Sequence, residues 1–100
     1  MSQVKYDLPE EVTIYTVSEL KPDLIDDIEG LSAGTELLFN CSDLEEIDAA
    51  GIQLLLSVVK TSLQENFDLF LKDVSYDIKQ TLSLMGVKEI LLEEDNSNGE

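Results

Sequence analysis

One hundred residues, 43% of them hydrophobic, bound this chain to a single globular domain with a modest core. Twenty-two carboxylates face six lysines, with no arginine and no histidine, for a net charge of −16. Such a surface excludes nucleic acid and anionic membranes as partners, since affinity for both rests on Lys and Arg. The lack of imidazole removes Ser-His-Asp and Cys-His nucleophile pairs.

Residues 3–8 alternate, with Val4, Tyr6 and Leu8 on one side, and residues 12–16 alternate again, with Val12 and Ile14 opposed to Thr13 and Tyr15. With Pro9-Glu10-Glu11 between them, the two runs predict an antiparallel β-hairpin. Ser18 is then the candidate N-cap of a helix that tolerates Pro22 in its first turn. Leu20, Leu24, Ile28 and Leu31 form its apolar stripe, and Gly30 or Gly34 stops it. Glu36–Asn40 is apolar on consecutive residues, the pattern of a strand buried on both faces of a parallel sheet. An acidic loop covers 41–47, and a helix follows from Ala49 to Glu65. Residues 67–72 repeat the buried-strand pattern. A third helix is expected over 76–85, with Ile78, Leu82 and Met85 inward and Gly86 as its stop. Residues 87–92 read as a short strand or the start of a helix. The expected order, ββαβαβαβ, is an α/β fold. It has a mostly parallel sheet of four to five strands, an N-terminal antiparallel hairpin and three or four helices. Residues 1–92 make one domain, and 93–100 an acidic, disordered tail.

Cys41 is the only cysteine, so no internal disulfide can form. No apolar run approaches the ~18 residues needed to span a bilayer. The opening MSQVKYDLPEE lacks the pattern of a secretory signal. The expectation is a cytoplasmic protein without direct membrane insertion. Neither Gly-rich phosphate loops nor an EF-hand pattern occurs, and one thiol with carboxylates is a poor zinc set. No cofactor, metal or catalytic residue is therefore expected. Acidic runs such as Asp26-Asp27 read as a solvated helix face rather than acid–base machinery.

The stretch LEEIDAAGIQLLL, residues 44–56, carries the site signal. Asp48 is a good N-cap for the helix that follows, able to accept from the amides of Ala50 or Gly51. Ala49 and Ala50 are small, and Gly51 leaves the first turn bare, so backbone amides are open to approach. Asp43, Glu45, Glu46 and Asp48 crowd this corner with no lysine nearby in sequence, which disfavours a free phosphate and favours a protein surface as visitor. At 100° per residue, Ile52, Leu55, Leu56, Val59 and Leu63 fall on one arc for the sheet. Leu54 and Val58 lie beside the polar arc. They either pack against a neighbouring helix or form a small exposed strip for a partner.

On these residues the chain resembles the STAS domain family of anti-sigma-factor antagonists. The motif is Ile47-Asp48-Ala49-Ala50-Gly51-Ile52 followed by Gln53-Leu54-Leu55-Leu56. The family pattern is Asp, Ser or Thr, Ser or Ala, Gly, Leu before an apolar helix. The frame agrees: a strand followed by TVSELKPDL, a buried strand ending near Asn40, and a late helix ending LSLMGV. The resemblance implies a non-enzymatic binding module. In the antagonists the hydroxyl after the Asp is phosphorylated by the kinase-like anti-sigma factor, and docking is lost. The equivalent position here is Ala49, which has no oxygen to accept a phosphoryl group. A phosphoserine there would add about −1.5 to −2 charges to an already acidic corner. The implied partner-binding set is Asp48, Ala49, Ala50, Gly51, Leu54, Val58, Ser57 and Asp43. Ser42 and Ser57 are the hydroxyls to which phosphorylation control could have moved, each also readable as plain surface. Candidate partners are an anti-sigma factor, a chemotaxis component or, alternatively, the ATPase of an ABC-type phospholipid transporter. A small carboxylate-based ligand-binding domain or enzyme is the remaining reading.

Overall fold

The computed structural model describes residues 2–91; the expected tail over 93–100 lies outside them. Among the described residues the elements are β1 (Gln3–Asp7), β2 (Glu11–Val12), α1 (Val17–Glu29), β3 (Glu36–Asn40), β4 (Glu46–Ile47), α2 (Ala49–Glu65), β5 (Asp68–Lys72), α3 (Tyr76–Leu84) and α4 (Lys88–Leu91). The α/β class is as expected, and every strand pairing is parallel.

The N-terminal hairpin does not form. β1 pairs with β3 from Gln3↔Glu36 to Asp7↔Asn40, and β2 pairs with β4 through Glu11↔Glu46 and Val12↔Ile47. The strands lie in two sheets, β1-β3-β5 and β2-β4, rather than one. Leu8 still donates to the Asn40 carbonyl at 3.0 Å, so the first ladder runs up to Pro9. Pro9 has no amide to donate and breaks it there. Both chain segments then kink, one at Pro9-Glu10 and the other over 41–45, and resume side by side as β2 and β4. The two-residue β4 falls inside the stretch expected to be loop.

α1 starts one residue before the expected cap, with Thr16 at the N-cap position. Pro22 is its sixth residue, past the first turn, where the missing amide costs a hydrogen bond. Leu20 and Leu24 are buried, and Ile28 and Leu31 pack partly against the same core. The helix ends at Gly30. α2 and β3 have the expected bounds. α3 is capped by the Ser75 hydroxyl, which accepts from the Ile78 amide, and is stopped by Gly86 at φ +77°. Met85, expected inward, is exposed. Among the described residues the last element is a helix, the second of the two alternatives expected there.

The register sorts the three-stranded sheet into two faces. Rows Val4–Leu37–Leu69 and Tyr6–Phe39–Leu71 belong to the core, with the Tyr6 and Phe39 rings 5.9 Å apart. Rows Gln3–Glu36–Asp68, Lys5–Leu38–Phe70 and Asp7–Asn40–Lys72 lie on the other face. Its side chains are exposed or only half-buried, so β3 is not buried on both faces as expected.

Candidate functional site

The corner at the start of α2 is built by one carboxylate. Asp48 Oδ1 accepts from the Gly51 amide at 3.0 Å, the N-cap bond the sequence predicts. Its other oxygen, Oδ2, accepts from the Ile14 amide at 3.0 Å, thirty-four residues earlier. The two amides, Ile14 first and Gly51 second, hold the Asp48 carboxyl below its ordinary range. One side chain thus caps a helix and fastens the β2–α1 turn to it.

That turn is tightly bonded within itself. The amides of Thr16 and Val17 donate to the Thr13 carbonyl, each at 2.9 Å. Tyr15 donates its amide to the Thr13 hydroxyl, and Thr13 its own amide to the Thr16 hydroxyl. Thr13 Oγ1 donates to the Glu11 carboxylate, and Thr16 Oγ1 to the Glu11 carbonyl. Thr13 is consequently buried, and Ile14 and Tyr15 are pushed outward, 61% and 85% exposed. The alternation over 12–16 had placed both in a strand. A T-x-x-E capping signature, Thr16 to Glu19, marks the helix start one residue before Ser18. The Thr16 hydroxyl is engaged in the turn and makes no cap bond.

Gly51 does not open the corner. It is buried, and a Cβ there would collide with the Val12 carbonyl oxygen and lie 2.9 Å from Ile47 Cγ1. Its role is to let α2 press onto β2 and β4. Ala49 is exposed and Ala50 half-buried. Beside them the β2–β4 ladder sets Glu11 opposite Glu46, and the Glu45 and Glu46 amides both donate to the Glu10 carbonyl. Glu10 and Glu11 line a depression against α1 with Thr16, Glu19, Leu20 and Asp23, and Glu45 and Glu46 are exposed on the neighbouring segment.

The other predicted site residues separate from this corner. Leu54 and Val58 are buried, 8% and 3% exposed, so they form no exposed strip. With Leu24, Ile25 and Ile28 they line a shallow groove between α2 and α1, which is the helix-packing alternative. Ser57 is on the rim of that groove and donates to the Leu54 carbonyl at 2.6 Å. It stands six residues beyond Gly51, about 9 Å along the helix. Asp43 and Ser42 are exposed in the β3–β4 loop, where the Ser42 amide donates to Asn40 Oδ1. Among the described residues no three His, Cys, Asp or Glu side chains are grouped to hold a metal, and no helix is long and apolar enough to cross a membrane.

No curated protein matches the chain. Among solved structures, the chain is similar to a sulfate transporter family protein from Wolinella succinogenes. The TM-score is 0.76 at 23% identity, covering 92% of this chain and 73% of that one. It is also similar to the murine Solute Carrier 26 family member A9 anion transporter in its inward-facing state. There the TM-score is 0.71 at 21% identity, covering 87% of this chain and 14% of that one. At these identities the likeness is one of fold. The profile of the STAS domain family matches residues 2–98, nearly the whole sequence. Parallel α/β ladders, an Asp-capped α2 and that match agree: this chain belongs to the STAS domain family.

Proposed function

We propose that this chain is a non-enzymatic, cytoplasmic protein-binding module of a regulatory or signalling system. It docks through the Asp48 corner, and phosphorylation at position 49 does not switch it. STAS domains are generally binding modules without catalytic chemistry. The observation that carries the reading is the two-sided Asp48 bridge, which joins the turn bearing exposed Ile14 and Tyr15 to the start of α2, where Ala49 is exposed. Preorganised aromatic and aliphatic anchors bind with little entropy left to lose. The net charge of −16 suits a partner whose contact surface is basic. Ala49 is the exposed first residue of α2, where a hydroxyl would be reachable, and it offers a methyl group instead.

Affinity capture from native cells, followed by variants against the captured partner, tests this. Tyr15→Ala and Ala49→Lys are expected to weaken capture at least tenfold with circular dichroism unchanged. Gln80→Ala on α3 is expected to leave it intact. Full-strength capture by both corner variants would place the docking face elsewhere. A sigma-factor regulator or chemotaxis protein supports the signalling assignment, and a transporter ATPase would replace it with the transport one.

A further inference from the structure

Parallel sheets normally have both faces covered. Here the face bearing Lys5, Leu38 and Phe70 has no described element over it. Leu38 and Phe70 are half-buried and stand outside the set of apolar side chains packed on the core. Around them lie Gln3, Glu36 and Asp68 on one side and Asp7, Asn40 and Lys72 on the other. In a chain of net charge −16 with six lysines, this patch holds two lysines against three carboxylates. It is nearly neutral, so two copies can approach there without the repulsion that the acidic surface imposes.

We propose that this open face is a self-association surface, whose occupant is the same face of a second copy. A twofold axis parallel to β3 makes the patch complementary to itself. Leu38 then meets Leu38 of the second copy. Phe70 of each copy covers Lys5 of the other, an aromatic ring against a cation. Asp7 faces Lys72 and Gln3 faces Asp68. Only Glu36 meets its own like charge. The segment 92–100 is a poorer occupant, because it offers one apolar residue, Leu92, and four carboxylates.

The patch is small. Three strands about 4.8 Å apart and five residues at about 3.3 Å each span roughly 14 by 17 Å. That is well under the ~800 Å² per partner of a standard stable interface, so the association is weak and concentration-dependent.

Sedimentation equilibrium on the full chain, from about 10 μM to 1 mM in about 0.3 M NaCl to screen net repulsion, reads it. The wild type is expected to shift from monomer toward dimer across that range. Asp7→Lys and Lys72→Glu each place like charges opposite one another at two symmetry-related points, and each is expected to weaken association about tenfold. The double variant, Asp7→Lys with Lys72→Glu, restores it. Glu36→Gln removes the one like-charge contact and tightens it several-fold. A wild type that stays monomeric throughout overturns the proposal. So does a dimer indifferent to these variants, or a double variant no better than the singles. None of the three substituted residues, Asp7, Glu36 and Lys72, is in the core, so folding is preserved in every arm.

Discussion

Two residues set the geometry of the corner, each by a different physical means. Gly51 acts by absence. Because a methyl group there would overlap the Val12 carbonyl, which belongs to the backbone and cannot swing aside, Gly51→Ala must push α2 away from β2. The expected cost is about 1–3 kcal/mol, the range for overpacking a closed interior, read as a lowered urea midpoint. Gly30→Ala is the control. It has nothing within 4 Å and a negative φ, and is expected to be neutral or to stabilise by about 0.4–1 kcal/mol. Asp48 acts by charge and direction. Its folded carboxyl ionises below the unfolded one because it accepts from the Ile14 and Gly51 amides. Stability from these bonds is therefore fully present above the unfolded value, about 3.9, and is lost as pH falls through the folded value. Asp48→Asn retains one acceptor for Gly51 but presents an NH₂ where Ile14 needs an oxygen. Urea titrations of both proteins should show a gap that is constant near neutrality and closes below about pH 4. A gap that stays open in acid would mean that the charge is irrelevant.

At the scale of elements, periodicity finds α2 but misorients it. Its buried residues are Gly51, Ile52, Leu54, Leu55, Val58 and Ser62, a stripe turned by roughly 90° from the arc through Ile52, Leu55, Leu56, Val59 and Leu63. Hydropathy treats Gly51 and Ser62 as indifferent. They are inside because close approach to β2 selects the first and because the second satisfies its hydroxyl on the Val59 carbonyl. α1 claims Leu54 and Val58 from the other side. Leu63, placed in the core by its arc, is 76% exposed. Leu54→Ala should then cost about 2–5 kcal/mol in urea denaturation, and Leu63→Ala less than about 0.5. The reverse ranking would restore the sequence-derived face. The same distinction explains what else was legible. The bounds of β3 and α2, the Asp48 cap and the family motif are local signals, legible in the sequence. The pairing of the first two strands is not, because alternation over 3–8 and 12–16 reports exposure and leaves the pairing partner open. Ile14 and Tyr15 escaped notice for the same reason, being turn residues whose exposure depends on Thr13 hydrogen bonds and on a carboxylate thirty-four positions away.

At the scale of the molecule, charge is the dominant stress. α1 alone carries Glu19, Asp23, Asp26, Asp27 and Glu29 on thirteen residues, against Lys21. The β2–β4 ladder adds facing Glu11 and Glu46. Self-repulsion of this kind destabilises the compact state and is screened by salt. At pH 7 the melting temperature should rise between about 10 mM and 0.5 M NaCl, with most of the gain below about 0.2 M, where the screening length falls under the spacing of these charges. The measurement belongs at low protein concentration, because any dimer would add its own stabilisation by mass action. Repeating it near pH 4.1, where the chain is close to neutral, separates screening from general salting-out. Screening predicts that the dependence disappears there, since too little net charge remains to screen. Salting-out predicts a slope that persists at both pH values and grows steadily with concentration. A persistent slope would also remove the argument that two copies meet only at the near-neutral sheet face, since that argument rests on the same repulsion.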